Sequence, residues 1–387
     1  MKISIYKDGV STVVEFPKPV LELQDILDRQ HNQQDNACVN FLFPHDQDTL
    51  LPSAMLDEFF CMDIYRLNFL AAQYEQMSPG QHAAFVAVAE HLQAEHPDDL
   101  IPLTFNLFSV PMIAARNYSE LGQFCIENEM LPEVGKCPED VLPYLDRKRI
   151  GMLMEERNHG VMLGGYYCEP EHYECQDVSV EIERPKGEFF RLLIGAPGDE
   201  MNAQWFSFPC EFEEIRKFAD QYSLEYAELV CCEMQSAIPH FVLESMMNFQ
   251  DLNEVAWQLH DLSPENIVKV KAIMEETDEH DIAGLRRVLR TMDEYQFDVV
   301  DDDSHYALRY LRENLPEGFD ISALANTDLY ALGVTIFGTK QGSMTEYGVL
   351  VHDCDLYSML PKPEWMQEES QSEDEIEDCE LKWGDIS

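Results

Sequence analysis

The feature that most constrains the fold is a stretch that occurs twice, at residues 64–81 and 249–266. Leu-Asn, an Ala three residues later and Ser-Pro recur at a constant offset of 185 residues. Apolar residues at i, i+3, i+7 and i+10 predict a helix, and the Ser-Pro predicts the cap and first turn of a second one. In the first stretch Gln81 completes a capping box. A helix–cap–helix unit repeated at domain spacing predicts a duplicated domain.

Other landmarks recur in the same order. Each predicted copy starts with a strand pair followed by Phe-Pro and a helix, with Phe16-Pro17 in one copy and Phe208-Pro209 in the other. Ile150-Gly151 and Leu332-Gly333 predict turns, and glycine-rich hairpin tails follow both of them. These landmarks strengthen the prediction of a duplication.

The predicted fold class is α+β, an elongated tandem repeat of small mixed modules with helix pairs and an acidic surface. The first copy is predicted at 1–167, a polar linker at 168–177 and the second copy at 178–360, starting with a strand over Val178–Ile182. Residues 361–387 are rich in Asp and Glu, a composition that predicts a disordered tail.

The charge balance is extreme for a globular composition. The 387 residues are 45% hydrophobic, yet 74 Asp and Glu face 26 Lys and Arg, for a formal charge of −48. Solubility, salt adaptation and imitation of a polyanion are three possible explanations, and the bulky apolar residues and eleven Cys argue against salt adaptation. Duplex DNA carries one charge per roughly 1.7 Å, so this charge matches about 80 Å of duplex. We therefore expect repulsion from nucleic acid and membranes, and attraction to basic clefts.

Motifs for catalysis or metal binding are weak. The sequence contains no P-loop and no Gly-x-Ser-x-Gly elbow. Cys168, His172 and Cys175 lack paired zinc spacing, as does Cys231-Cys232, and Asp301–Asp303 lacks the glycine and glutamate of an EF-hand. We therefore expect no enzyme activity, no catalytic residues, no metal and no cofactor.

The same sequence predicts the location of the protein. The N-terminus has no signal-peptide core, and the apolar run at 101–115 is interrupted by Pro102, Asn106 and Pro111. The chain is expected to be cytoplasmic, with reduced thiols and no membrane contact.

Acidic residues cluster around the predicted helices, most densely in the second copy. Carboxylates stacked four residues apart on an outer helix face are separated by about 6 Å of rise, close to the charge spacing of a phosphate backbone. A solvated helix face is the ordinary alternative, although such a face usually mixes in Lys and Arg. The predicted partner-binding acids are Asp98, Asp99, Glu275, Glu276, Asp278, Glu279, Asp281, Asp293, Glu294, Asp298, Asp301, Asp302 and Asp303.

The order of these landmarks resembles that of the ArdA-type antirestriction proteins. The closest match is Leu332-Gly333 followed by Gly342, Thr345 and Tyr347-Gly348, and Ile150-Gly151, Gly160 and Gly164-Gly165-Tyr166 match more loosely. The resemblance covers about 3–167 and 178–352 and implies two ArdA-like copies in one chain.

By resemblance, the protein is a non-enzymatic DNA mimic that occupies the DNA-binding cleft of a type I restriction–modification enzyme. Members of that family usually act as homodimers, so the fused chain is expected to act as a monomeric pseudo-dimer or as a homodimer. Inhibition of another DNA-handling defence system, of the anti-CRISPR type, is one alternative. An acidic protein-interaction module without DNA mimicry is the other.

Overall fold

The computed structural model describes residues 1–7, 10–30, 36–41, 51–55, 60–176, 180–243, 249–299, 303–316, 319, 324, 327–340 and 342–352. The predicted tail at 361–387 lies outside these residues. The described residues form helices and small antiparallel sheets, which confirms the α+β fold class.

The chain begins with a four-stranded sheet of order β2-β1-β3-β4. Its strands are β1 (Lys2–Lys7), β2 (Val10–Glu15), β3 (Asn36–Phe41) and β4 (Phe60–Asp63), and α1 (Val20–Arg29) follows β2. Ile3, Ile5 and Val14 alternate inward from this sheet and meet Leu23 and Leu27 of α1 in one core.

The first repeated stretch forms α2 (Ile64–Gln76) and α3 (Pro79–His91), as predicted. Ser78 caps α3, and the reciprocal bond between Gln81 and the Ser78 backbone completes the predicted capping box. A shorter helix, α4 (Pro97–Leu103), follows, and its first turn carries Asp98 and Asp99.

The next module pairs two helices beside a three-stranded sheet. The helices are α5 (Tyr118–Glu127) and α6 (Arg147–Asn158), and the strands are β5 (Met112–Ala114), β6 (Val161–Leu163) and β7 (Tyr166–Cys168), in the order β5-β7-β6. The predicted turn at Ile150-Gly151 is wrong, because both residues lie inside α6. A Cβ at Gly151 would lie 2.0 Å from the Tyr118 carbonyl oxygen of α5, so this glycine permits close helix packing rather than a turn.

The polar stretch that follows β7 is docked on the first module. Tyr173 donates its hydroxyl to the carbonyls of Pro102 and Phe105, at 3.2 and 3.1 Å. Val180 and Ile182 are half-buried against the first core. The predicted strand at Val178–Ile182 is wrong, because 180–186 is irregular and pairs with no sheet, while 177–179 lie outside the described residues.

A second sheet opens the later half of the chain, with the order β10-β8-β9. Its strands are β8 (Phe190–Ala196), β9 (Asp199–Phe208) and β10 (Val230–Ser236), and α7 (Glu213–Gln221) follows β9. Phe206 packs against Phe218 of α7, with ring centroids 5.5 Å apart, so one face of the sheet is covered by this helix.

An asparagine clamps the segment after each Phe-Pro pair, and both Phe-Pro bonds are cis. Asn68 of α2 accepts the Lys18 amide at 2.7 Å and donates to the Lys18 carbonyl at 2.9 Å. Asn253, in α8 (Phe249–His260), accepts the Cys210 amide at 2.8 Å and donates to its carbonyl at 2.9 Å. The Asn of the repeated Leu-Asn therefore makes the same pair of bonds in both places.

The remaining elements are α9 (Pro264–Glu276), α10 (Ile282–Thr291), α11 (Asp303–Asn314), α12 (Leu329–Lys340), β11 (Tyr295–Asp298), β12 (Gly342–Thr345) and β13 (Gly348–His352). The strands form a sheet of order β11-β13-β12. The predicted turn at Leu332-Gly333 is wrong, because both residues lie inside α12.

The chain divides into two compact units. The first contains Met1–Phe241 and Ser245–Asp261, and the second contains Val242–Glu244 and Leu262–Ser387. Within the part of the chain that the structure describes, no helix is both long enough and apolar enough to cross a bilayer.

Candidate functional site

Several predicted acids of the second unit meet at the end of α9. The helix packs on β12 and β13. Glu275 accepts the Glu346 backbone amide at 3.2 and 3.1 Å, and Glu276 accepts the Ser343 hydroxyl at 2.6 Å. The backbone of Glu346, an exposed residue, is thereby held beside Glu275.

A further predicted acid, Glu294, lies near Tyr295 at the end of α9. Burial raises the pKa of the Tyr295 hydroxyl, and the negative charges of Glu294 and Glu276 raise this pKa further. Glu294 and Glu276 therefore both lie near the Tyr295 hydroxyl. We call Glu275, Glu276, Glu294 and Glu346 the α9-end cluster.

The predicted acids between α9 and α10 have local partners. Asp278 has a left-handed backbone conformation, and its exposed carboxylate lies 2.8 Å from His280 Nε2. Glu279 forms an ion pair with Arg287. Asp281 caps α10 by accepting the Gly284 amide at 2.7 Å.

The two predicted acids of the first unit are also engaged. Asp98 accepts from Arg66 Nε at 2.5 Å, and Asp99 accepts the His96 amide at 3.1 Å in a capping arrangement. The Asp98 side chain is 38% exposed, so it keeps contact with solvent while neutralising Arg66. Asp98 therefore contributes less net negative charge than its sequence suggests, because Arg66 offsets it.

The last predicted acids vary in exposure. Asp293 is exposed, in the short 3-10 turn that precedes β11, and Asp298 is half-buried in β11. Asp301 and Asp302 lie outside the described residues, and Asp303 is the first residue of α11, whose side chain is not described there. The structure therefore brings Glu275, Glu276 and Glu294 together but leaves Asp98 and Asp99 in a different unit.

Those predicted acids that the structure describes do not stack along one helix face. Most occupy helix ends, caps and connections, so the regular helical rise does not set their spacing. The helix α10 also carries Arg286, Arg287 and Arg290, and Arg287 pairs with Glu279. The expected row of carboxylates on an outer helix face is replaced by clusters where elements join.

The structure exposes further acids that the sequence prediction did not single out. One group surrounds α7, namely Glu211, Glu213, Glu214, Asp220, Glu225 and Glu228. Another begins at the last residue of α5 and continues after it, namely Glu127, Glu129, Glu133, Glu139 and Asp140. Acid-rich loops at the ends of amphipathic helices were the available signal. Acidic surface is thus present in both halves of the sequence.

A cavity of ≈ 760 Å³ lies in the first unit, beside the segment before β8. Several of its charged groups form ion pairs: Arg191 bonds Glu188 and Glu183, and Arg184, another lining residue, pairs with Asp63. Hydrogen bonds from Arg191 and backbone amides hold the pKa of Glu188 below its usual range, although burial opposes the shift. The cavity combines both signs of charge and is chemically unlike the α9-end cluster.

The thiols and histidines do not assemble a metal site among the residues that are described. Cys168 is fully buried in β7, and burial raises its pKa to about 12. His172 lies 3.3 Å from the buried carboxylate of Glu169, whereas Cys175 is exposed. The three residues considered from the sequence therefore have separate surroundings.

Comparison with known proteins adds no relative: the chain matches no protein-family model and no curated protein. The resemblance to ArdA-type proteins consequently stays a prediction based on the quoted motifs.

Proposed function

We propose that this protein is a DNA mimic of the ArdA antirestriction type, which occupies the DNA-binding cleft of a type I restriction–modification enzyme and blocks it. The observation that carries the proposal is the formal charge of −48 on a chain that folds and exposes many more carboxylates than cations. A surface of this kind competes with DNA for the Lys and Arg residues of a basic cleft.

We propose further that the chain is a tandem duplication. One support is that the two asparagine clamps make the same pair of bonds. The other is that the strand orders recur: β2-β1-β3 corresponds to β9-β8-β10, and β5-β7-β6 corresponds to β11-β13-β12. A duplicated scaffold repeats the acid-bearing helix ends along one polypeptide. One chain then supplies two acidic copies, which separate subunits would otherwise have to provide.

The proposed mechanism is electrostatic and involves no bond chemistry. Carboxylates held by the fold pair with cleft cations and release counterions, as phosphates do, so the affinity falls steeply as salt rises. The contribution of each carboxylate is small because the attraction is shared among many exposed pairs.

A restriction assay tests this proposal. A purified type I enzyme is incubated with unmodified plasmid at low salt, with and without a molar excess of the protein. The expected result is loss of cleavage. Added competitor DNA changes the concentration of protein needed for this loss, as expected for two ligands that share one site. Full cleavage with the protein in excess would contradict the type I assignment, and the same assay with a CRISPR effector tests that alternative target.

Matched neutralisations identify the face that binds. Changing Glu275, Glu276 and Glu294 to Gln together removes three charges from the α9-end cluster. Changing Glu211, Glu213 and Glu214 to Gln removes the same number beside α7. Under the proposal each triple variant weakens inhibition, while each single change alters it by less than about twofold. A larger loss for one triple variant locates the stronger contact.

A protein-interaction module without DNA mimicry is the second candidate. It is favoured by large apolar side chains on the surface, including Phe108 at 80% and Tyr144 at 87% exposure. Binding through such residues changes little with salt, whereas binding through carboxylates weakens with salt. Salt titration of any captured partner separates the two functions.

A further inference from the structure

The cavity beside the segment before β8 is the strongest unassigned site of the first unit. Its volume of ≈ 760 Å³ lies within the range of pockets that bind small molecules. The irregular segment at 181–188 supplies most of its lining residues, and the last turn of α8 supplies Trp257 and His260. The proposed DNA mimicry relies on exposed carboxylates and leaves this cavity without a role.

Arg191 is the least exposed of the three lining cations, with 15% of its side chain exposed. The buried carboxylate of Glu188 accepts from Arg191 Nε at 2.9 Å and from its Nη2 at 2.5 Å through one oxygen. The other oxygen of Glu188 accepts the Lys186 amide at 2.5 Å. Both oxygens of Glu188 are therefore engaged, and they hold the guanidinium in one orientation.

A second carboxylate, that of Glu183, bonds the same guanidinium. It accepts from Arg191 Nη1, and its side chain is 66% exposed. An exposed ion pair contributes little to stability, so another carboxylate can replace Glu183 at small cost. The planar fork of an arginine also matches the geometry of a carboxylate. The structure thus shows, within the cavity, the kind of group that Arg191 binds.

The aromatic wall of the cavity is formed by Trp257 and His260, three residues apart on α8. Their ring centroids are 5.5 Å apart and their planes are nearly perpendicular, at 86°. This contact leaves Trp257 42% exposed. His260 is held by the loop opposite, because its Nδ1 lies 3.3 Å from the Gly187 carbonyl oxygen. An exposed indole beside a fixed imidazole favours a flat ring as its contact.

We propose that this cavity binds a small aromatic carboxylate. The carboxylate replaces Glu183 on Arg191, and the ring of the ligand packs on Trp257 beside His260. Lys186 is an exposed lining residue that forms no ion pair with the part of the chain that the structure describes, and it supplies a second positive charge. None of these groups belongs to the α9-end cluster, so the site is independent of the proposed function.

Charge favours a single carboxylate over the other ionic ligands. A phosphate monoester carries about −1.5 to −2 charges at neutral pH, and it is repelled more strongly than a carboxylate by the exposed Glu181 and by a chain of charge −48. An organic cation is attracted by the chain as a whole, but Arg191 and Lys186 repel it inside the cavity.

Calorimetric titration of the full chain with four indole compounds tests this chemistry. Indole-3-acetate, indole-3-acetamide, tryptamine and indoxyl phosphate share one ring and carry a carboxylate, an amide, an ammonium and a phosphate. We expect indole-3-acetate to bind at least about tenfold more tightly than each of the others. Equal binding of the acetate and the amide overturns the role of Arg191, and tighter binding of tryptamine or of the phosphate overturns the assigned ligand class.

Matched variants test the exchange at Arg191. Glu183→Gln removes the competing carboxylate and should strengthen binding of indole-3-acetate by about threefold. Glu213→Gln is the control, because it neutralises a similarly exposed acid, 3.6 Å from Arg216, on α7. It should leave the affinity unchanged. Arg191→Lys keeps the charge but loses the fork, and Trp257→Leu removes the indole, so each should weaken binding at least about fivefold.

The outcomes are distinct. An affinity that Glu183→Gln leaves unchanged, or raises no more than Glu213→Gln does, overturns the proposal, as does the absence of any binding of indole-3-acetate. Circular dichroism verifies the folding of each variant, and the exposed Glu183→Gln decides the question if Arg191→Lys does not fold. No restriction enzyme takes part in the titration, so its failure leaves the proposed DNA mimicry untouched.

Discussion

Asn68 and Asn253 each form two hydrogen bonds to the backbone with one side chain. Each uses its amide oxygen and its amide nitrogen on one residue, Lys18 or Cys210, so the carboxamide replaces a strand partner. Neither pair of bonds could be inferred from the sequence, because the bonded residues lie 50 and 43 positions apart. Only the recurrence of Leu-Asn signalled that the asparagine mattered.

Replacing either asparagine tests this role. Asn68→Ala and Asn253→Ala each remove two hydrogen bonds and leave a backbone amide and carbonyl unpaired, at an expected cost of about 2 kcal/mol in the free energy of unfolding. Urea denaturation measures the loss. The exposed Asn266→Ala serves as control and should change stability by less than about 0.5 kcal/mol. A negligible effect at both clamps would show that they do not hold the fold.

Glu188 is a buried carboxylate whose charge the fold requires. Its side chain is 6% exposed and accepts from Arg191 Nε at 2.9 Å. Because its folded pKa is lowered, its stabilising contribution is present above the unfolded carboxyl pKa and is lost as pH falls through the folded pKa. Glu188→Gln should therefore cost about 3 kcal/mol at neutral pH and progressively less in acid. Equal destabilisation at neutral and acid pH would argue against a charge effect.

At the scale of elements, the helices with local capping signals were predictable. Ser78 and Ser263 mark the starts of α3 and α9 within a residue of their predicted positions, because a cap is a contact between near neighbours. The irregular segment at 180–186 was not predictable. Alternating Val180 and Ile182 indicate burial, and here that burial comes from docking on a core without strand pairing.

The glycines of α5 and α6 illustrate the other failure of prediction. Glycine is a poor helix residue, so Ile150-Gly151 predicted a turn, yet tertiary packing outweighs this propensity. A Cβ at Gly122 would lie 1.7 Å from the Arg147 carbonyl oxygen, which shows how closely the helices approach. No single-sequence pattern reports that distance between two helices.

Substitution of these glycines tests the close approach. Gly122→Ala or Gly151→Ala forces backbone atoms apart and should lower the free energy of unfolding by about 2 kcal/mol. Gly135→Ala is the control, since its added Cβ meets nothing closer than 3.6 Å. Thermal unfolding and hydrogen exchange of α5 report the difference. Equal stability of all three variants would mean that the helices can separate without cost.

For the whole molecule, the candidate site was only partly predictable. Charge and the position of acids along the chain are properties of the sequence, so Glu275, Glu276 and Glu294 could be singled out. Glu346 joins them only because the turn between β12 and β13 reaches the end of α9. The pairing of Asp98 with Arg66 and of Glu279 with Arg287 likewise depends on the fold.

The central claim is that many carboxylates together imitate DNA in a basic cleft. The most direct test is the dissociation constant of the protein from a type I restriction–modification enzyme, measured over a series of salt concentrations beside duplex DNA. The account predicts a straight line of log affinity against log salt with a steep slope similar to that of DNA, and mutual displacement of the two ligands. Affinity that stays constant with salt, or simultaneous binding of protein and DNA, would contradict it.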